Sequence, residues 1–97
     1  MTEREKFRIK EIKGLVASRD HHTCQRCGGP GYELAHLIAK TRANIKKYGA
    51  DVIHHPLNIR LSCSACNSSF NIGNNTLQAD FLAAVIRGKL EAKHGPH

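Results

Sequence analysis

HTCQRCGG at residues 22–29 and HHPLNIRLSCSACNSSFN at residues 54–71 are the two segments that decide how this chain folds. Each segment contains two cysteines separated by two residues, which is the usual spacing of zinc ligands. We expect one Zn²⁺ to bind all four thiolates; two disulfides or four unrelated cysteines are the alternatives. A zinc ion with four cysteine ligands has no open coordination position, so its role would be structural. The four residues are Cys24, Cys27, Cys63 and Cys66.

The length and composition predict one small domain that needs a metal to stabilise it. The chain has 97 residues, 40% of them apolar, with only three Phe, two Tyr and no Trp. One hydrophobic core is the most that such a chain can fill, and a core this thin is commonly stapled by a metal or by disulfides. We see no signal peptide and no long apolar segment, so we expect a cytoplasmic protein with reduced thiols and no membrane contact.

The charge of the chain favours a polyanionic partner. The formal net charge is +7, and four thiolates with one Zn²⁺ would lower it to about +5. A basic surface of this kind suits nucleic acid. Several cations occur in or near the middle of the chain, where they could contact phosphates without reading bases. These are Lys40, Arg42, Lys46, Lys47 and Arg60.

Hydrophobic spacing predicts a helix at each end of the chain. The first, at about 3–17, would begin with a capping box formed by Thr2 and Glu5. The last, at about 76–93, would begin at a cap formed by Asn75 with Gln78. Its predicted apolar stripe consists of Leu77, Phe81, Leu82, Val85, Ile86 and Leu90.

Shorter elements are predicted between the end helices. We expect a strand at 32–39, a turn of helix or a loop at 40–49, and a return strand or the approach to one beginning at Val52 and Ile53. A short helix is expected to follow the second cysteine pair at 64–72.

Together with ELAHLI at residues 33–38, the two cysteine segments resemble the HNH nuclease superfamily. The resemblance covers about residues 22–71 and implies a small α+β fold. Its core would be a ββα-metal motif (His-Me finger), stapled here by the four-cysteine zinc site and flanked by the two end helices. It also implies a second, catalytic divalent ion.

The resemblance assigns roles to three residues. His36 corresponds to the general base, and a neutral imidazole, with a usual pKa near 6.5, can accept a proton from an attacking water. Asn58 corresponds to the asparagine that braces the loop, although it could be an ordinary turn residue. Asn67 corresponds to a ligand of the catalytic ion, although asparagine also caps helices. An amide oxygen at that position favours Mg²⁺ or Mn²⁺.

One position departs from the family pattern. Many members have Asp or His directly before the general base as a metal ligand, whereas this chain has Ala35. The candidates to replace that ligand are His55, then His54, then Glu33. The two adjacent histidines could equally be loop residues with no ligand role.

The sequence therefore predicts a divalent-metal-dependent endonuclease that hydrolyses phosphodiester bonds, with duplex DNA as its substrate. Two alternatives stay open. The first is a zinc-stabilised module that binds nucleic acid but has lost catalysis, which Ala35 motivates. The second is a zinc-ribbon interaction or assembly factor. The sequence gives no indication of whether the protein acts as a monomer or a dimer.

Overall fold

The computed structural model describes residues 3–73 and 75–94, and in these the chain forms four α-helices, two strands and two 3₁₀ helices. The predicted cap at Thr2 lies outside the described residues. In chain order the elements are α1 (Glu3–Arg19), β1 (Glu33–His36), α2 (Arg42–Tyr48), α3 (Ala50–Ile53), a 3₁₀ helix (Pro56–Asn58), β2 (Ile59–Ser62), a second 3₁₀ helix (Asn67–Phe70) and α4 (Thr76–His94).

The two strands form an antiparallel ribbon whose two faces differ. Leu34 lies opposite Leu61, and His36 lies opposite Ile59. Because opposed residues share a face and neighbours alternate, these four side chains lie on one face. Ile59 and Leu61 are buried there against Ile12 and Val16 of α1. The other face carries Glu33, Ala35, Arg60 and Ser62.

An ion pair fastens the end of α1 to the ribbon. Arg19 Nε donates to Asp20 Oδ1 at 2.8 Å, and the Leu61 N–H donates to Asp20 Oδ2 at 2.9 Å. Arg19 also donates to the Ile59 carbonyl at 2.6 Å. The hydrogen bond from Arg19 is the largest influence that holds the pKa of the buried Asp20 below its usual value. The first cysteine pair follows soon after Arg19 and Asp20, whose contacts with the ribbon are thus close to it in the chain.

A second apolar core lies between α2, α3 and α4. It buries Ile38, Val52, Ile53, Ala83 and Ile86, among others. The predicted stripe of α4 is only half right. Ile86 is buried and Leu82 and Leu90 pack against this core, but other members face outward, because small Ala79 and Ala83 form the contact face instead. The outward members are Leu77, Phe81 and Val85, with 82%, 73% and 41% of their surface exposed.

The α+β fold class is confirmed, and the two-stranded sheet with the four-cysteine cluster is compatible with a ββα-metal core. The return strand does not begin at Val52 and Ile53, which lie on the approach to it. Those residues end α3, which begins after Gly49 at φ 96°, and the strand itself starts at Ile59. Two adjacent apolar residues suit a buried helical turn as well as a strand.

Other boundaries also shift. β1 is shorter than predicted and spans only Glu33–His36, although the Leu37 N–H still bonds the Asn58 carbonyl, at 2.9 Å, in the register of the ribbon. Residues 64–72 form only the 3₁₀ helix, whereas α4 carries the predicted cap, with the Gln78 N–H donating to Asn75 Oδ1 at 3.0 Å. Within the described chain, no helix has the length and apolar character of a membrane span.

Gly31 lies where the first cysteine turn crosses the ribbon, and there is no room for a side chain. A Cβ at this position would lie 2.8 Å from both Cys24 N and the Thr23 carbonyl carbon. We expect Gly31→Ala to destabilise the protein by about 1–3 kcal/mol, lowering Tm by roughly 10 °C. Gly88→Ala is the matched control, because a Cβ there meets nothing within 4 Å. That helical change should raise Tm slightly; equal Tm values for the two variants would contradict the steric account.

Candidate metal centre and active site

The four cysteines converge on one point. Their sulfur atoms all lie within 4.8 Å of one another, and Cys27 Sγ is 3.8 Å from Cys63 Sγ. Four sulfurs placed tetrahedrally about 2.3 Å from a zinc ion are about 3.8 Å apart, so the cluster fits Zn²⁺. Cys24 is buried, whereas the other three are partly or fully exposed.

The cysteines differ in their readiness to ionise. The pKa of Cys24 is lowered to about 6, chiefly because the Cys27 backbone N–H faces its sulfur. The pKa of Cys66 is raised to about 12, chiefly by its hydrogen bond with the Cys63 thiol. Binding an ion as four thiolates would release the protons that the thiols hold.

His36 ends β1 in a setting that suits a base. Its Nε2 atom is buried and has no hydrogen-bond partner among the described residues. Burial is the main cause that lowers its pKa to about 4, and the nearby charges of His54 and Lys40 add to the effect. The imidazole is therefore neutral at pH 7, with a polar atom still to be satisfied.

His36 and Asn67 line the same cavity, which has a volume of about 340 Å³ and also borders Lys40 and Asn71. The structure thus brings together the predicted base, the predicted ligand and one of the predicted phosphate-binding lysines. Asn71 was not singled out in the sequence. The signal that could have found it is its spacing of four residues after Asn67.

The Asn67 amide is turned toward the ribbon. Its Nδ2 atom donates to Glu33 Oε1 at 3.2 Å, to the Leu34 carbonyl at 3.3 Å and to Ser62 Oγ at 3.2 Å. Asn67 is the first residue of its 3₁₀ helix, and the N-cap residue Cys66 makes no side-chain cap bond. The side chain thus joins the second cysteine turn to β1 instead of capping.

Asn58 is fully buried and holds two backbone segments together. Its Oδ1 accepts from the Ile38 N–H at 2.8 Å. Its Nδ2 donates to the carbonyls of Ile38 and Ile53, at 3.0 and 2.9 Å. Its own carbonyl accepts from the Leu37 N–H at 2.9 Å. The backbone that leaves His36 is thereby fixed to α3 and β2.

We expect Asn58→Ala to destabilise the fold by about 3 kcal/mol or more, since it leaves one buried N–H and two buried carbonyls without partners. Asn44→Ala is the comparison, because Asn44 makes one side-chain donor bond, to the Ala39 carbonyl at 2.9 Å. Urea unfolding of both variants measures the difference. A loss no larger for Asn58→Ala than for Asn44→Ala would show that Asn58 does not brace this loop.

The adjacent histidines His54 and His55 make different contacts. The rings of His54 and His36 meet edge to face, with centroids 5.8 Å apart, and both line a smaller cavity of about 80 Å³. His55 Nδ1 instead accepts from the Leu57 N–H at 3.1 Å and caps the first 3₁₀ helix. Ala35 is fully buried. Of the three residues that could replace the ligand missing at Ala35, Glu33 is the one that hydrogen-bonds Asn67.

The predicted phosphate-binding residues differ in their exposure to solvent and in the contacts that their side chains already make. Lys40, Arg42 and Lys46 are exposed. Lys47 Nζ lies 3.6 Å from Asp80 and 5.0 Å from the Tyr48 ring centroid. Arg60 is half-buried and donates through Nη1 to the carbonyls of Leu57 and Ile59, both at 3.0 Å.

Comparison with known proteins yields one informative relative. The chain is 32% identical over 60 residues to a protein of Lactococcus phage SK1 named a probable HNH endonuclease. The match covers 59% of this chain and 62% of the relative, so the chain spans less than two thirds of that protein. No family model and no solved structure matches the chain. The resemblance to the HNH endonuclease superfamily is nevertheless confirmed by this relative and by four cysteines placed for the metal site of a zinc-stabilised variant.

Proposed function

We propose that the protein is a divalent-metal-dependent endonuclease that hydrolyses phosphodiester bonds of duplex DNA, with His36 as its general base. One observation carries this proposal. A neutral imidazole, with a buried and unpartnered Nε2, lines a cavity together with Asn67. The similarity to a probable HNH endonuclease supports the reaction class.

The residues at this cavity fit a hard ion that keeps most of its water. Apart from the four cysteines, the described residues contain no group of three or more His, Cys, Asp or Glu side chains that could hold a metal. The cavity offers amide groups, from Asn67 and Asn71. Mg²⁺ and similar ions keep several waters and usually bind through one or two carboxylates and substrate phosphates. In this cavity amide oxygens would take the place of the carboxylates. Asn67 would hold the ion, and His55 is the second proposed ligand.

Each residue then has a separate task. His36 Nε2 accepts the proton of the attacking water, and Asn58 fixes the backbone that positions this ring. Lys40 beside the cavity orients the scissile phosphate, while Arg42, Lys46, Lys47 and Arg60 contact flanking phosphates. A bound Mg²⁺ or Mn²⁺ would supply positive charge for the phosphate and leaving oxygens. We place this activity in a reducing compartment such as the cytoplasm, where the zinc thiolates persist.

Nicking of supercoiled plasmid tests the activity. Zinc-loaded protein is expected to relax the plasmid when Mg²⁺ or Mn²⁺ is added and to leave it intact when both are omitted, with zinc content measured in each sample. DNA binding without cleavage under any ion would contradict catalysis. It would favour the binding module that the buried Ala35 suggests.

The pH dependence of cleavage follows from the environment of His36. Only the neutral imidazole can act as base, so activity is lost as pH falls through its pKa, which lies at about 4 and not at the usual 6.5. His54 and Lys40 are the charged neighbours responsible, besides burial. We expect kcat/KM to stay level from pH 7.5 down to about 5.5 while zinc remains bound. A tenfold fall per pH unit beginning near 6.5 would contradict this environment.

A further inference from the structure

The amide of Asn67 has a defined orientation because of what surrounds its nitrogen. Two of the three oxygens that Nδ2 approaches, in the Glu33 carboxylate and the Leu34 carbonyl, can only accept hydrogen bonds. If the amide were reversed, Oδ1 would face both of them with no proton between. Oδ1 is therefore turned away from the ribbon, and no described residue donates a hydrogen bond to it.

Glu33 is itself held from both sides. Its Oε1 accepts from Asn67, and its Oε2 accepts a short hydrogen bond from Ser64 Oγ. The Tyr32 hydroxyl lies 3.1 Å from Ser64 Oγ, and the Ser64 N–H donates to that hydroxyl at 3.3 Å. A chain of hydrogen bonds thus runs from Tyr32 through Ser64 and Glu33 to Asn67. Ser64 follows Cys63 directly, so these hydrogen bonds connect the second cysteine turn with Asn67.

We propose that Glu33 is a positioning residue: it holds the Asn67 amide with Oδ1 turned away from the ribbon, so that this oxygen is available to a divalent ion in the cavity beside His36. This inference rests on the proposed function, in which Asn67 binds the ion. It differs from Glu33 being a ligand that replaces the one missing at Ala35, because Asn67 borders the cavity beside His36 whereas Glu33 is not among the residues that line it.

Mn²⁺ affinity of the zinc-loaded protein, measured by electron paramagnetic resonance without DNA, tests the proposal. Glu33→Ala should weaken binding by about 10–100-fold, as is usual for the loss of a residue that orients a ligand. Asn67→Ala, which removes the ligand itself, should weaken binding at least as much. Glu33→Gln should keep affinity within about threefold, because its carbonyl can accept from Asn67 while its NH₂ donates to Ser64. Glu91→Ala, at an exposed glutamate of α4, is the control.

The double variant separates the two roles of Glu33. If Glu33 acts through Asn67, Glu33→Ala adds no further loss in the Asn67→Ala background. Additional loss there, or a Glu33→Gln protein as weak as Glu33→Ala, would show a direct ligand and overturn the positioning role. Wild-type affinity in Glu33→Ala would overturn it as well. If Glu33→Ala loses zinc or folds poorly, Glu33→Met, which keeps the side-chain length but offers no carboxylate acceptor to Asn67, takes its place in these comparisons.

If Asn67 does not bind the ion, the Mn²⁺ affinities differ from those expected above. Asn67→Ala would then bind Mn²⁺ as tightly as wild type, or the wild-type protein would bind none. Thermal stability and zinc content of every variant identify any loss that comes from the zinc turn and not from the cavity.

Discussion

Replacing His36 by alanine is expected to lower DNA cleavage by about 10²–10⁴-fold, the usual contribution of a general base, while zinc stays bound. The ring lines the cavity that Asn67 also borders, and its buried Nε2 is the atom that would accept a proton. The His36 side chain takes no part in the cysteine cluster or in the hydrogen bonds of the Asn58 side chain. Single-turnover cleavage, zinc content and salt-dependent DNA binding together measure the effect.

His21→Asn is the matched control for His36→Ala. His21 is exposed and has a φ of 56°, a conformation that asparagine tolerates well. Its cleavage rate should equal that of wild type. A His36→Ala protein that cleaves at the wild-type rate would remove His36 from the mechanism, whatever the metal dependence. Loss of cleavage together with loss of zinc would show that the histidine supports the fold.

Cys63→Ser is expected to unfold most of the protein. Structural zinc contributes about 10–16 kcal/mol in small zinc domains, whereas a domain is typically stable by only about 5–15 kcal/mol. The hydrophobic cores here are small, so they cannot compensate for a lost ion. Circular dichroism should show loss of helix and of the cooperative thermal transition, and the zinc content should fall.

Ser69→Ala, at an exposed serine beyond the second cysteine pair, is the control and should keep both zinc and Tm. A strong chelator should reproduce the Cys63→Ser result in wild type and release one zinc ion per chain. A metal-free protein that melts at the wild-type temperature would contradict the structural role. A reductant that unfolds the protein without releasing zinc would favour the disulfide alternative.

The parts of the fold that were predictable are those encoded as fixed spacings. The two cysteine pairs determine that distant segments meet, and the four sulfurs do converge. Asn58 was expected to brace a loop, and its side chain bonds the backbone on both sides. The cysteines can be predicted because a fixed spacing of one side-chain type is compatible with few structures, whereas the expectation for Asn58 came from the resemblance to the HNH nuclease superfamily.

The parts that were missed depend on packing. Val52 and Ile53 are apolar in either a strand or a helix, and only burial beneath α4 determines that they are helical. Leu77 and Phe81 fit a helical stripe, but the contact face is formed by smaller residues. Glu33 contacts Asn67, and His54 contacts His36, although the residues of each pair are far apart in the sequence. The periodicity of the sequence does not indicate such contacts.

The central claim is that the chain has two separate metal sites, one structural and one catalytic. Anomalous diffraction from crystals soaked in Mn²⁺, collected at the zinc and manganese edges, measures both at once. We expect zinc signal among the four cysteine sulfurs and manganese signal at Asn67 in the cavity beside His36. Zinc in the cysteine cluster with no manganese at Asn67 would contradict the catalytic site and leave a zinc-stabilised binding domain.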